Sequence, residues 1–215
     1  MEDVYKRQEV VADSSQFLII DQAEYFNCQV DDIDKAQGTE GLMETLTKEA
    51  SVGLAEKFDS YIASIVSDGT KLPVSEAITT PDQALNAVDK AYVKLWSNGV
   101  PLTEQTEIVV TPWFYNLIKS KITVLSTDNP DYIKRGIVGM YNNGQVKISN
   151  NIYNTGTYDN CLVRTKKAIA SAKQINKVEP FRPHDGFEEA LKGLFVFGAK
   201  VVRPKEAICL QVKES

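Results

Sequence analysis

The sequence predicts an α+β chain in two lobes. Three stretches carry that prediction: a long amphipathic segment between residues 39 and 67, a hairpin between 136 and 151, and two apolar strand-like runs that close the chain. The first has the three- and four-residue spacing of a helix, and the other two have the short apolar runs and turn residues of strands.

From Val10 to Val30 the pattern is β-like, with Phe17-Leu18-Ile19-Ile20 expected as a buried strand and Tyr25 to Val30 as a second. Asp31, Asp32 and Asp34 close the segment. They lack the glycine and terminal glutamate of a calcium loop, so a solvated turn is the expectation. The long helix then spans Thr39 to Ser67. Leu42, Leu46, Ala50, Leu54, Phe58, Tyr61, Ile62 and Ile65 line its apolar side, with Glu44, Lys48, Glu56, Lys57 and Ser60 on the wet sides. At 1.5 Å per residue it is a rod of roughly 40 Å. It lacks the strict heptad of a coiled coil. Asp68-Gly69 gives it a stop, with glycine free to take a left-handed cap.

Residues 70–79, with Pro73, read as an irregular connector and a domain boundary. Thr80-Pro81-Asp82-Gln83 opens a second helix: threonine as N-cap, proline at the first helical position, and glutamine completing a capping box. Ala84, Leu85, Val88, Tyr92 and Leu95 mark its buried face, and Asn98-Gly99 with Pro101 ends it. Ile108 to Val110 is a short strand, and Thr111-Pro112 caps a helix carrying Trp113, Phe114, Leu117 and Ile118. In the hairpin, Val138 and Met140 alternate on one strand, Val146 and Ile148 on the other. Asn143-Gly144 supplies the positive-φ pair of a type I′ turn. A strand-like run near Cys161 to Ala172, an extended piece through Val178 and Phe181, and a short helix around Phe187 to Leu191 follow. The last strands are Gly193 to Val202 and Ala207 to Val212.

Composition narrows the function. The net charge of -5 argues against a protein that wraps nucleic acid by neutralising phosphates. Arg164, Lys166, Lys167, Lys173 and Lys177, with Tyr153 and Tyr158 nearby, make the single basic cluster, read as a defended strand edge or subunit contact. Cys28, Cys161 and Cys209 are odd in number and far apart, as expected of reduced thiols packed as apolar side chains. His184 stands alone between Pro183 and Asp185, and no Cys-x-x-Cys pair exists, which disfavours zinc and any triad built on histidine. Gly136 and Gly139 run into a hairpin and not into a helix N-terminus, so they are no phosphate cradle. Asp31 with Asp32, and Glu188 with Glu189, are sequence neighbours and point apart. No residue is given a catalytic, cofactor-binding or metal-binding role.

The order of elements resembles the major capsid protein of tailed bacteriophages, the Hong Kong 97-type coat fold also used by encapsulin shells. The resemblance rests on four features in succession. They are Val30 to Gln37 leading into Ala55-Glu56-Lys57-Phe58-Asp59-Ser60-Tyr61-Ile62; Ile108-Val109-Val110-Thr111-Pro112-Trp113; the Gly136-Ile137-Val138-Gly139 hairpin ending at Ser149-Asn150-Asn151; and Gly193 to Pro204. It covers the chain from residue 9 onward.

The resemblance implies a peripheral domain with a long spine helix, residues 9–80 and 169–189, and an α/β axial domain, residues 81–168 and 190–215. It implies hexamers and pentamers of an icosahedral phage or prophage shell around double-stranded DNA, assembled in the bacterial cytoplasm, with scaffolding and portal proteins as possible partners. An acidic inner surface suits packaged DNA, because it repels phosphate. The alternatives are an encapsulin-like compartment and, less favoured, an α/β enzyme. Asp3 to Gln8 resembles the translation of a transposon end used in sequencing libraries. Residues 1–8 are therefore expected to be a non-native or disordered start, with native sequence from about Glu9 and an N-terminal arm and part of an extended loop lacking.

Overall fold

The computed structural model describes residues 16–31, 42–74, 76–124, 136–184 and 188–214. The expected non-native start, the strand residues from Val10 to Ser15, the Asp32 and Asp34 turn and the Thr39 helix start lie outside them.

Two sheets organise the described chain. A three-stranded antiparallel sheet has the order β1-β9-β8, with β1 Gln22–Asp31, β8 Ile169–Phe181 and β9 Glu188–Val201. A seven-stranded mixed sheet has the order β2-β10-β7-β3-β6-β5-β4. Its strands are β2 Thr70–Pro73, β3 Thr106–Val110, β4 Thr123–Val124, β5 Ile137–Tyr141, β6 Gly144–Ile148, β7 Asp159–Thr165 and β10 Ala207–Val212. Pairing is parallel at β3/β6 and β10/β2 and antiparallel elsewhere. The helices are α1 Leu42–Ile65, α2 Pro81–Ser97 and α3 Pro112–Ile118.

The larger lobe is built on one face of the seven-stranded sheet. Alternating side chains Ile108, Val110, Val146, Cys161, Val163, Ile208, Leu210 and Val212 meet Ala84, Ala87, Val88, Ala91, Tyr92 and Leu95 of α2 and Phe114 and Ile118 of α3, all within one buried cluster. The capping box at Thr80 forms as expected: the Gln83 backbone N–H donates to Thr80 Oγ1 at 3.3 Å, and Gln83 Oε1 accepts from the Thr80 N–H at 3.2 Å. Gly99 ends the helix at φ +92°.

The smaller lobe is α1 lying on the three-stranded sheet. Phe58 meets Phe195 and Phe197 edge-on, with centroids at 6.0 and 5.1 Å, and Tyr61 meets Phe197 at 5.4 Å. Phe26 lies over Gly193, where an added Cβ would fall 2.1 Å from the ring. The lobes join at a small second core of Val66, Leu162, Ala168, Val201, Ala207 and Cys209.

Several expectations change. The 70–79 connector contains β2, because Ile208 to Gln211 pair with Thr70 to Pro73. Gly69 is extended (φ -74°, ψ -172°) and not left-handed. It is needed because an added Cβ would sit 2.7 Å from the Ala207 carbonyl. In the hairpin the positive-φ pair is Asn142 and Asn143, at 44° and 65°, one residue earlier than expected. Gly144 opens β6 instead, where a Cβ would lie 2.0 Å from Tyr92 Oη and 2.7 Å from Thr106 Oγ1. A bulge between Ile137 and Gly139 also shifts the β5 register, burying Ile137 while Val138 stays half-exposed.

Phe17 to Ile20 forms no strand and leaves Phe17 and Ile19 in solvent. The helix expected around Phe187 to Leu191 is instead the start of β9, described from Glu188. Glu, Ala, Leu and Lys favour helix in isolation, but pairing to β1 and β8 on both sides overrides that preference. Residues 190–215, which the sequence reading keeps together, are divided between the two sheets at Arg203 to Glu206.

Candidate assembly surfaces

The groups that could carry chemistry are mostly occupied by structure. Glu107 is buried between β6 and β7. Lys147 Nζ lies 2.9 Å from Oε1, and Arg164 Nη2 lies 3.0 Å from Oε2. Burial alone would raise this carboxyl, but the Lys147 hydrogen bond and the Arg164 charge outweigh it and hold the group below the usual carboxylate range. Cys161 and Cys209 are buried, and burial pushes their thiols up to about 12 and about 11, which leaves them unreactive at neutral pH. Cys28 is half-buried and also free. His184 is exposed at the end of β8. Among the described residues no group of three or more His, Cys, Asp and Glu side chains could hold a metal ion.

The basic cluster disperses. Arg164 clamps Glu107, Lys167 pairs with Glu104 at 3.1 Å, and Lys166 donates to Gln105 Oε1 at 3.2 Å, all on the larger lobe. On the smaller lobe Lys177 pairs with Glu179 at 2.5 Å, and Lys173 Nζ stands 4.7 Å from the Phe58 ring centroid. These lysines defend a strand and tie the two layers together; they do not build one positive face. Glu188 and Glu189 alternate along β9, opposite Asp31 and Val30. Among the described residues no helix is long and apolar enough to cross a membrane.

The molecule invests its exposed apolar surface differently. On the side of the three-stranded sheet away from α1, Tyr25 pairs across from Leu194 and is 80% exposed. Around it Phe181, Lys192, Lys177 and Glu179 line an open cavity of about 470 Å³, and Lys192 Nζ lies 5.4 Å from the Phe181 ring. Phe17 and Ile19, 81% and 73% exposed, precede β1. A second apolar patch, Val93, Trp96 and Leu102, lies at the end of α2 and the loop that follows. Exposed Trp and Tyr are among the side chains that dominate the energetics of protein contacts. The sequence reading missed these positions because it took apolar residues as core; Phe17 to Ile20 is an unbroken apolar run, so polarity along it gives no signal that Phe17 and Ile19 are exposed.

A groove of about 310 Å³ separates α1 from the face of the seven-stranded sheet that carries Glu107, lined by Asp59, Ile62 and Ala63 on the helix and Lys147, Ile148 and Leu162 on the sheet. Asp59 is raised above the ordinary aspartate range by burial, partly offset by Lys173.

No protein-family model matches the chain, and no curated protein sequence does. Solved structures do. A structure from Mycobacterium phage Che8 superposes with a TM-score of 0.72 at 29% identity, covering 89% of this chain and 71% of that one. The capsid structure of cyanophage P-SCSP1u matches with a TM-score of 0.72 at 17% identity, covering 100% of this chain and 81% of that one. The SrpI encapsulin complex from Synechococcus elongatus PCC 7942 matches with a TM-score of 0.68 at 8% identity over 89% and 74% of the two chains. A long helix on a three-stranded sheet, joined to a mixed sheet with helices on one face, is thus shared with viral and compartment shells, and the chain is built on the Hong Kong 97-type fold of the phage major capsid proteins.

Proposed function

We propose that this chain is a structural subunit of an icosahedral phage or prophage capsid, a self-assembling coat protein with no catalytic, cofactor or metal role at any residue. The observation that carries the reading is the match to Mycobacterium phage Che8 over 89% of the chain at 29% identity, alongside capsids from other phages. The buried thiols are consistent with it: Cys161 and Cys209 lie inside the two cores, with burial pushing them up to about 12 and about 11, as packed apolar side chains and not as nucleophiles.

In this reading the three-stranded sheet with α1 is the peripheral domain and the seven-stranded sheet with α2 and α3 is the axial domain. Sheet pairing supports a boundary at Gly69 and again near Ala168 and Val202, refining the 9–80, 169–189 and 81–168, 190–215 division. Copies gather as hexamers and pentamers, each contact modest and the closed lattice collectively strong. Double-stranded DNA is a non-specific neighbour inside the virion; scaffolding and portal proteins assist assembly in the bacterial cytoplasm.

The test is electron microscopy of the protein expressed together with the genes that flank its own. Closed shells or capsomers are expected. A persistent monomer at every concentration would overturn the proposal. The encapsulin reading is favoured by the likeness to the Synechococcus compartment. Terminase, portal and scaffold genes beside this one would decide for the phage, and a cargo-enzyme gene for the compartment.

A further inference from the structure

Asn-Gly occurs twice in the sequence, at Asn98-Gly99 and Asn143-Gly144. It is the dipeptide in which asparagine deamidates most readily. The glycine nitrogen, unhindered by a side chain, gives up its proton to water and attacks the asparagine Cγ. A C–N bond forms, closing a five-membered succinimide ring, and the side-chain amide leaves as ammonia. Water then opens the ring at either carbonyl to give aspartate or isoaspartate. In sum one water is consumed, one ammonia is released and one carboxylate is gained, with no oxidant or reductant.

Both asparagines hold the same loop, residues 99–105 between α2 and β3. Asn98 Nδ2 donates to the Lys205 carbonyl at 2.7 Å, tying the start of the loop to the corner before β10. Asn143 Nδ2 donates to the Thr103 carbonyl at 3.1 Å and to the Glu104 carbonyl at 3.4 Å, holding its end from the hairpin tip. The nitrogens that would attack are held as well. Gly99 N–H donates to the Trp96 carbonyl at 2.9 Å. Asn98 has ψ 0°, so the Gly99 nitrogen eclipses the backbone nitrogen of Asn98 and not its Cβ, which turns it away from Cγ. Gly144 faces Tyr141 in the closing pair of the hairpin and is buried against Tyr92 Oη.

We infer that Asn98 and Asn143 are deamidation sites that the clamped loop holds inert, and that reaction at either, once the loop opens, bars the loop from closing as before. The same two amide groups are both the clamp and the reacting groups, so opening the clamp exposes the chemistry. Reaction then removes the clamp for good. An ionised carboxylate accepts hydrogen bonds and donates none. In place of Asn98 it meets the Lys205 carbonyl, and in place of Asn143 the carbonyls of Thr103 and Glu104, so an attraction becomes a repulsion. A chain that has opened here keeps a covalent record of it. These bonds are internal to one chain, and the chemistry is the same whether or not copies assemble.

The full-length chain, folded or in denaturing urea, is incubated at neutral pH in water enriched in heavy oxygen, and its peptides are weighed by mass spectrometry. Both sites are expected to take up label at least about tenfold more slowly when folded, as an opening cost of ordinary size requires. Equal rates in the two states would overturn the protection. The products are tested with Asn98→Asp and Asn143→Asp; the first stands at an ordinary φ of -81° and the second at φ 65°, which aspartate accepts. Each is expected to speed hydrogen exchange at the loop amides 102–105 about tenfold and to leave β7 and β10 unchanged. Asn98→Ala, which removes the donor without adding a charge, is expected to give a smaller gain. Circular dichroism checks the fold, and should one aspartate variant not fold, the other carries the reading. Loop exchange unchanged in a folded aspartate variant would overturn the clamp, and an alanine effect equal to that of aspartate would overturn the repulsion.

Discussion

The two lobes are made by opposite strategies. The seven-stranded lobe has a single cluster of buried residues drawn from α2, α3 and four of its strands, with Tyr92, Phe114, Leu95, Ile108 and Ile208 under 2% exposed. The three-stranded lobe has a much longer helix, yet none of the described side chains of α1 is fully buried; Phe58 and Tyr61 cover Phe195 and Phe197, Phe26 covers Gly193, and Val30 and Ala190 are the other buried side chains near the far end of the sheet. One lobe is stabilised from within. The other exposes the surface that a neighbour would have to cover, which is what a tile requires of its rim.

Mutations can break or sharpen that contrast. Phe114→Ala, which empties the larger core, is expected to cost about 3–5 kcal/mol by urea denaturation. Phe58→Ala removes a half-buried ring from the smaller lobe and is expected to cost about 2 kcal/mol, roughly half the fully buried value. Hydrogen exchange should show that loss confined to α1, β1 and β9. Uniform loss across α2 and β3 would show that the lobes unfold as one unit, and the contrast would fail.

Glu107→Gln is expected to cost about 1–2 kcal/mol, because it weakens two charge-assisted bonds at once. It should also change the acid limb of stability. Glu107 titrates below its ordinary value of 4.5 when folded, so its contribution is present above that value and is lost as pH falls through the lower folded pKa. The variant should lack that part of the decline when thermal midpoints are compared from neutral to acid pH. Thr80→Ala, which deletes the N-cap of α2, should cost about 1 kcal/mol by the same denaturation measurement and leave the smaller lobe untouched.

How far the sequence could be read follows the same division. In the larger lobe local signals and tertiary structure agree for its helices and central strand, though not for β2 or the hairpin turn. The box at Thr80, the stop at Gly99 and the strand from Ile108 each act within a few residues and are found where the residues place them. In the smaller lobe they part company. Glu188 to Leu191 reads as helix and becomes strand because two neighbours distant in sequence claim its backbone. Phe17 to Ile20 reads as interior and lies outside, since apolarity alone does not distinguish a core from an interface. The hairpin shows a finer limit. Asn142-Asn143-Gly144 offers two ways to place a positive-φ pair, and the choice is made by Tyr92 Oη, 2.7 Å from Thr106 Oγ1 and donating to the Tyr141 carbonyl at 3.1 Å, which leaves no room for a side chain at Gly144.

The long helix ends at Ile65, packed against the small cluster where the lobes meet, and a groove keeps its final turns clear of the neighbouring sheet. A rod of 24 residues seated at one end is a lever arm. With a rise of 1.5 Å per residue, tilting it by about ten degrees at the seat carries its far tip about 6 Å, while the atoms around the pivot shift by only a fraction of that. Small angular adjustments at one point could thus let identical polypeptides fit surroundings that are not identical.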